Sequence, residues 1–327
     1  MRKLLIGAAL AALAFVQPAA AADSYNVTLA GASPGGLWSL LGSGVDAAVK
    51  TAYPGSTVTY QTSGGGFANI GLIDEGKVEM GIAHDAELLL AKNGKPPFKS
   101  EIDSMRGLAY LYTWAPMHVI VRKDFAEEHG VTSFSDIADK KIPAVIAINK
   151  RGNVASNVAE AMLDAIGADA KTLESWGGRL VYAASGEQAN LMQDRRIDII
   201  INSLFVKHSS ILEIANAIPV TLLGLSEATI EKVNAASGST PYVIEAGSYD
   251  FAADDVPTVT LGAALVVSEE MSDEDAYNLT KALFEHDDKL AGVHNAMKQL
   301  TPEVMASLSV IPYHDGALKY LKEAGLR

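Results

Sequence analysis

The chain has 327 residues, a formal net charge of −13 at pH 7 and no cysteine. The acidic balance argues against nucleic acid or an anionic lipid surface as partner, because both attract positively charged proteins. The lack of cysteine excludes disulfides, thiolate catalysis and thiolate metal sites. An apolar core must therefore stabilise the fold, and the 49% content of hydrophobic residues can supply one.

The first 22 residues have the pattern of a cleavable secretory signal. Arg2 and Lys3 precede an apolar run at 4–16, and Ala20, Ala21 and Ala22 supply the small residues that a signal peptidase needs. The run is shorter than the roughly 20 residues that a membrane span requires. We expect cleavage near Ala22, a periplasmic mature chain with no direct membrane insertion, and a formal charge of −15 once both cations are removed.

Strand and helix patterns alternate at the start of the predicted mature chain. Alternating apolar residues predict strands, and apolar residues three to four positions apart predict helices. The predicted strands are 25–30, 57–62 and 78–83, and the predicted helices are 37–52, 67–75 and 86–92. This βαβαβα order is typical of a parallel sheet covered by helices.

A second alternating series follows a strongly apolar strand at 117–121. The predicted strands are 142–148, 180–183, 197–201 and 220–223, with helices at 155–166, 186–194 and 209–217. A long apolar strand at 258–267 then precedes helices at 272–285, 288–299, 302–309 and 316–324. We predict an α/β protein of two lobes, each a central sheet flanked by helices, joined by the two long strands and ending in helices. Lobe 1 would comprise 23–125 and 256–327, and lobe 2 would comprise 126–255.

The turn after the first strand, Gly-Ala-Ser-Pro-Gly-Gly at 31–36, matches the G-x-S-x-G pattern of a serine nucleophile. The residue after that serine normally donates its backbone N–H to the oxyanion, and Pro34 has none. Losing one such donor costs about 10²–10³ in rate. Ligand contact is therefore favoured over nucleophilic attack by Ser33. The alternative is a turn that only connects the strand to the helix. The contacts predicted here are Ser33, Gly35, Gly36, Leu37 and Trp38, where the indole either stacks on the ligand or packs.

Two more junctions are predicted at the same sheet edge, where open α/β sheets bind ligands. The loop at 62–69 contains three successive glycines, which allow a close approach to the backbone, and we include Gly65 and Asn69 in the site. A flexible loop is the alternative. His84 and Asp85 close the third strand, and Asp85 is also placed to cap the following helix. The histidines show no metal-ligand spacing, and we predict no metal and no cofactor.

In the second lobe, the loop at 149–153 places cations before a helix. Arg151 can bind a carboxylate with two hydrogen bonds, although a solvated basic loop is an equal alternative. Asn153 and Ser156 complete the predicted site on this loop. Asn202 ends a buried strand on the corresponding edge and can hydrogen-bond a ligand across the cleft.

Several segments in chain order resemble the TAXI family, the extracytoplasmic solute receptors of TRAP transporters. They are GGLWSLLG at 35–42, QTSGGGFAN at 61–69, GIAHD at 81–85, MHVIVRK at 117–123 and YHDGALKYLKEAG at 313–325. The chain departs from the family at 149–156, where a Gly/Ser/Thr-rich turn is usual, and at 244–249, where the usual turn contains proline.

The resemblance implies a two-lobed periplasmic binding fold that closes on a small organic anion. Family ligands include dicarboxylates and acidic amino acids, and an oxo-acid fits the same description. The receptor would deliver its ligand to the membrane permease subunits of a TRAP transporter, without catalysis. We expect a monomer. An exported serine hydrolase using Ser33 is the alternative.

Overall fold

A computed structural model describes residues 24–32 and 37–327. The predicted signal segment and the predicted contacts Ser33, Gly35 and Gly36 lie outside the described residues. Within those residues the strands are β1 (Asn26–Ala30), β2 (Thr57–Gln61), β3 (Met80–His84), β4 (Met105–Arg122), β5 (Val145–Ile148), β6 (Arg179–Tyr182), β7 (Ile199–Ser203), β8 (Val220–Leu222), β9 (Thr240–Ile244) and β10 (Val256–Ser268).

The helices of the same residues connect these strands and close the chain. They are α1 (Leu37–Ala52), α2 (Gly66–Asp74), α3 (Asp85–Lys92), α4 (Lys123–His129), α5 (Asp136–Asp139), α6 (Val154–Ala165), α7 (Ala170–Ser175), α8 (Ser185–Gln193), α9 (Ser209–Ala217), α10 (Glu227–Ser237), α11 (Asp273–Glu285), α12 (Asp287–Ala291), α13 (Pro302–Met305) and α14 (Asp315–Glu323). A 3-10 helix, Asn295–Gln299, lies between α12 and α13.

The sheet runs in the order β2-β1-β3-β10-β4-β7-β5-β6, with β8 added to β4 and β9 added to β10. The strands β1, β2 and β3 are parallel to one another, as are β5, β6 and β7. The long strands β4 and β10 run antiparallel between the two parallel groups. The fold prediction is confirmed: this is an α/β architecture in which two long strands join the halves.

The joining strand β4 changes partners at Pro116. Pro116 is the last residue of β4 that pairs with β10, and Met117 is the first that pairs with β7, through Ser203. The register between β4 and β10 also shifts near Gly262, between Leu261 and Ala263. We refer to the half before this exchange, with β1–β3, as lobe 1 and to the half with β5–β7 as lobe 2.

Among the described residues, lobe 1 has one apolar cluster and lobe 2 has two. The spacing of apolar residues in helix α1 illustrates how such a core forms. Leu41, Val45 and Ala48 are fully buried, because positions three or four apart lie on one helix face. Some residues cross the division. For example, Phe205 of lobe 2 packs in the lobe 1 cluster, and Ala86 of α3 packs in a lobe 2 cluster. The exact lobe boundaries stay a prediction.

Some element boundaries differ from the sequence-based expectation. The strand predicted from 142 begins at Val145, and Pro143 has no N–H to donate to a ladder. The helix predicted at 288–299 is two pieces, because His294 accepts the N–H of Ala296 at 3.1 Å and starts a new helix. The prediction omitted four helices and a strand: α4, α5, α7, α10 and β9.

Candidate functional site

The carboxyl ends of the parallel strands of both lobes lie beside the partner exchange in β4. In lobe 1, β3 ends at His84, which pairs with Ala263, and Ala263 pairs in turn with Tyr112. In lobe 2, β7 ends at Ser203, which pairs with Met117. The two edges are therefore a few residues apart along β4, and such edges are where open α/β sheets bind ligands. This is the candidate site.

His84 is held by a carboxylate of its own helix. Its ring Nδ1 and its backbone N–H both lie close to Oε2 of Glu87, at 3.1 and 2.8 Å. Glu87 is 1% exposed and His84 is 9% exposed. The prediction that Asp85 caps the helix is wrong, because α3 begins at Asp85 and its N-cap residue is His84.

Trp38 and Tyr112 complete the surroundings of His84. The indole Nε1–H of Trp38 donates to the Tyr112 hydroxyl at 3.0 Å, and that hydroxyl lies 3.4 Å from His84 Nε2. The Trp38 and His84 rings are 4.8 Å apart between centroids. Trp38 is 7% exposed, so its indole packs in the protein. Burial raises the pKa of the Tyr112 hydroxyl, which is therefore protonated and can donate.

Asp85 contacts the joining strand β4. One carboxyl oxygen accepts a hydrogen bond from the Tyr110 hydroxyl, and the other, Oδ1, is buried without a hydrogen-bond partner among the described residues. Burial raises the pKa of Asp85, and the Tyr110 hydrogen bond and the His84 charge only partly oppose it. Gly262 leaves the space for this pair, because a Cβ there would lie 1.9 Å from the Tyr110 oxygen.

The glycine-rich loop is approached by a carboxylate of the protein. A Cβ on Gly66 would lie 1.7 Å from Oε2 of Glu87, so only glycine fits there. Gly65 has a φ of +102° and open space where a side chain would be. The Glu87 carboxylate therefore occupies the space beside Gly66, whereas the space beside Gly65 is open.

Asn69 connects the ends of two strands to this loop. Its amide donates to the carbonyls of Gly31 and Ile82 at 2.8 and 2.7 Å, and its oxygen lies 2.5 Å from Ser63 Oγ. The side chain is fully buried and all its hydrogen-bonding groups are used inside the protein. Leu37, at the start of α1, is half-buried and packs against the lobe 1 core.

In lobe 2 the buried Asn202 organises the loop after β5. Its amide donates to Gln188 Oε1 and Ser185 Oγ at 2.9 and 3.0 Å, and its oxygen accepts from Asn149 at 3.1 Å. The other two predicted residues are used at the start of α6, where Asn153 is the N-cap residue. Asn153 accepts the N–H of Ala155 at 2.9 Å, and the Ser156 hydroxyl donates to the Asn153 carbonyl at 2.6 Å.

Arg151 is exposed and lies on an aromatic ring. Its guanidinium carbon is 3.6 Å from the centroid of Tyr182, the last residue of β6. The Tyr182 hydroxyl donates to Glu160 at 2.6 Å. Arg151 forms no ion pair with a carboxylate within the described part of the chain. It is therefore an exposed cation held beside the lobe 2 edge.

Sequence reasoning missed Glu87, Tyr110, Tyr112 and Phe205. The His-x-x-Glu spacing of His84 and Glu87 is that of a helix-capping pair and could have indicated the contact. The tyrosines and Phe205 are distant in sequence, and only the pairing of β4 with β10 and β7 brings them to the edge. Among residues 24–32 and 37–327, no three His, Asp or Glu side chains are grouped to hold a metal ion. No helix of these residues is long and apolar enough to cross a membrane.

The fold is that of the two-lobed periplasmic binding proteins, and comparisons agree with it. The chain resembles MatC from Rhodopseudomonas palustris with bound malate, at 14% identity and a TM-score of 0.58, over 91% of this chain and 97% of that one. A protein of Bordetella bronchiseptica RB50 matches at 14% identity and a TM-score of 0.54, over 92% of this chain and 98% of the other. Residues 29–325 match the model of the NMT1-like family, and the chain belongs to that family.

Proposed function

We propose that this protein is an extracytoplasmic solute-binding protein of the TAXI type. It captures a small organic anion, namely a dicarboxylate, an oxo-acid or an acidic amino acid, between its two lobes. It then delivers the anion to the permease subunits of a TRAP-type transporter. It acts in the periplasm as a monomer, without catalysis or a cofactor. The observation that carries the proposal is that the carboxyl edges of both parallel strand groups lie beside the partner exchange in β4.

Two further observations support an anionic ligand. Arg151 is an exposed cation beside the lobe 2 edge that has no carboxylate partner within the described residues. MatC, which shares the fold, was solved with bound malate. The secretory pattern of the first 22 residues supports the compartment.

The predicted site residues divide into two groups in this proposal. Ligand contacts come from Ser33, Gly35, Gly36, Leu37, Gly65, His84, Asp85 and Arg151. The remaining residues, Trp38, Asn69, Asn153, Ser156 and Asn202, hold the surroundings of those contacts, since their side chains are used within the protein. Closure of the lobes would bring the two groups of contacts onto one ligand.

Thermal unfolding with added anions tests the proposal. L-malate, 2-oxoglutarate and L-glutamate are the probes, and L-glutamine is the neutral counterpart of glutamate. A ligand stabilises by RT ln(1 + [L]/Kd), which is about 2.7 kcal/mol at a concentration of 100 Kd. We expect at least one of the three anions to raise the melting temperature in a concentration-dependent way. No stabilisation by any small carboxylate would contradict the proposal.

One observation favours the alternative, an exported hydrolase using Ser33. The contact between Glu87 and His84 Nδ1 resembles the carboxylate–histidine contact that orients the base of a catalytic triad. Ser33→Ala tests it: loss of turnover of an ester substrate, in a variant with unchanged melting temperature, would establish the hydrolase and contradict a function in binding alone.

A further inference from the structure

An apolar groove lies on lobe 2, between helix α10 and the strands β9 and β10. Its volume is about 350 Å³, and its apolar lining comes from Leu225, Ile230, Pro241 and Pro257. Leu225 is buried and Ile230 is half-buried, whereas both prolines are exposed. The helix therefore covers one side of the groove and leaves the two prolines accessible.

Val243 extends this apolar surface along β9. Directly opposed residues of two strands, and residues two apart on one strand, place their side chains on the same face of a sheet. Val243 lies opposite Pro257, and Val259, two residues along β10, shares their face. Val259 is fully buried in a lobe 2 cluster, but Val243 is 45% exposed, more than any other large aliphatic side chain of the described residues. This face is therefore part of the core at one end and uncovered at the other.

The uncovered face belongs to an edge strand. Among the described residues β9 pairs with β10 alone. An edge strand can accept a further strand through its free N–H and C=O groups. Pro241 has no N–H to donate, and a proline within an edge strand disfavours such an addition. A partner is therefore expected to bind through the side chains of this face rather than by extending the sheet.

The segment that forms the groove is strongly acidic. Residues 225–259 include six acids and one lysine. Glu227 and Glu231, one helical turn apart on α10, are exposed and line the groove. The lysine, Lys232, donates to the carbonyl of Ala165 at 3.2 Å, at the end of helix α6. A partner that fits this surface therefore combines apolar side chains with positive charge.

We propose that this groove binds a segment of another protein in which apolar side chains are flanked by lysine or arginine. The apolar side chains pack on Val243 and the two prolines, and the cations face Glu227 and Glu231. A second copy of this chain is disfavoured as the occupant, because it would bring the same acids together and like charges repel. The groove includes none of the candidate site residues, so this inference stands or falls independently of the proposed function.

Fluorescence anisotropy with synthetic peptides tests the proposal. The probes are three dye-labelled peptides with one, two or three leucines between two pairs of lysines. Their counterparts have serines in place of the leucines, or glutamates in place of the lysines. We expect a leucine–lysine peptide to bind at least tenfold more tightly than either counterpart, and less tightly as the salt concentration rises. If no leucine–lysine peptide binds, or if the serine peptides bind equally tightly, the proposal is wrong.

Matched variants locate the contact. Val243→Thr, which keeps the side-chain shape, and Glu231→Gln should each weaken peptide binding at least threefold at an unchanged melting temperature. The controls are Leu212→Gln and Glu213→Gln, at exposed positions of α9, whose buried side packs in the other lobe 2 cluster, and these should bind normally. Unchanged affinity in the first pair, or equal loss in both pairs, overturns the assignment to the groove. A photoreactive leucine in the peptide needs no variant: its adducts should lie within 225–259, and adducts only elsewhere contradict the proposal.

Discussion

At the residue scale, Arg151 is the cation best placed for an anion in lobe 2. Its guanidinium lies 3.6 Å from the Tyr182 ring centroid, and a planar guanidinium stacked on an aromatic ring keeps its N–H groups free at the edge of the plane. Those donors can form a bidentate contact with a carboxylate. Stacking on Tyr182 therefore holds the side chain in place before a ligand arrives.

Replacing Arg151 should weaken anion binding. We expect Arg151→Ala to reduce the binding free energy by ~1.5–3 kcal/mol, the scale of a charged hydrogen bond. Calorimetry with the anion identified by thermal unfolding measures the change. Arg179→Ala is the matched control, because Arg179 is an exposed cation at the opposite end of the same strand, β6. Equal affinity of the wild type and Arg151→Ala would remove Arg151 from the site.

The site was only partly predictable at this scale. The residues at or just after the ends of β1, β2, β3, β5 and β7 could be named, because parallel strands end at a common edge. Their individual roles could not be derived from spacing. Close approach to Gly66 is made by Glu87, a carboxylate of the protein, and nothing in a three-glycine run distinguishes that carboxylate from one on a ligand.

At the element scale, most amphipathic helices and apolar strands were predictable, while the weakly amphipathic α10 and several short elements were not. Helix α11 could be predicted from Ser272 and the three acids of its first turn. In the structure, the Ser272 hydroxyl accepts the N–H of Asp275 at 3.0 Å. Helix α7 has six residues, too few for an apolar period, and β9 contains Pro241 and is mostly exposed. Such elements depend on their neighbours, and sequence periodicity does not report them.

The joining strand β4 contains a histidine that must stay neutral. His118 is fully buried, its Nε2 lies 2.9 Å from the Tyr249 hydroxyl, and its Nδ1 lies 3.0 Å from the Pro116 carbonyl. Burial lowers the pKa of His118 to about 4. A proton on Nε2 would replace the acceptor that the Tyr249 O–H needs.

This histidine should make the fold sensitive to acid. Between its unfolded pKa, near 6.5, and its folded pKa of about 4, the unfolded chain binds the proton and the folded chain does not. Stability is therefore present above pH 6.5 and falls as the pH drops through that window, by about 3 kcal/mol at most. Urea unfolding at pH 7 and pH 5 measures the loss. In His118→Gln, which cannot titrate, the difference between the two pH values should be smaller, and an equal difference would contradict the role of His118.

At the scale of the whole molecule, the segment after β7 fastens the lobes together beside the site. Phe205 belongs to lobe 2, but its ring packs in the lobe 1 core, 5.2 Å from Tyr112 and 5.5 Å from His294 between centroids. The same segment donates the N–H of Leu204 to the Pro116 carbonyl at 3.2 Å. Tyr112, in turn, contacts Trp38 and His84. Movement of lobe 2 relative to lobe 1 would therefore be transmitted to the candidate site through one buried ring.

Shortening Phe205 should loosen that connection. Phe205→Leu removes part of a buried ring, at a cost below the about 3–5 kcal/mol of a Phe→Ala change, so the protein should stay folded. We expect faster amide hydrogen exchange in lobe 1, in α1 and α3, because Tyr112 loses its partner. The matched control is Phe134→Leu, since Phe134 is equally buried but packs only in the lobe 2 core. Its faster exchange should stay within lobe 2. Mass spectrometry of peptides after exchange measures both variants, and the same pattern in both would mean that Phe205 does not couple the lobes.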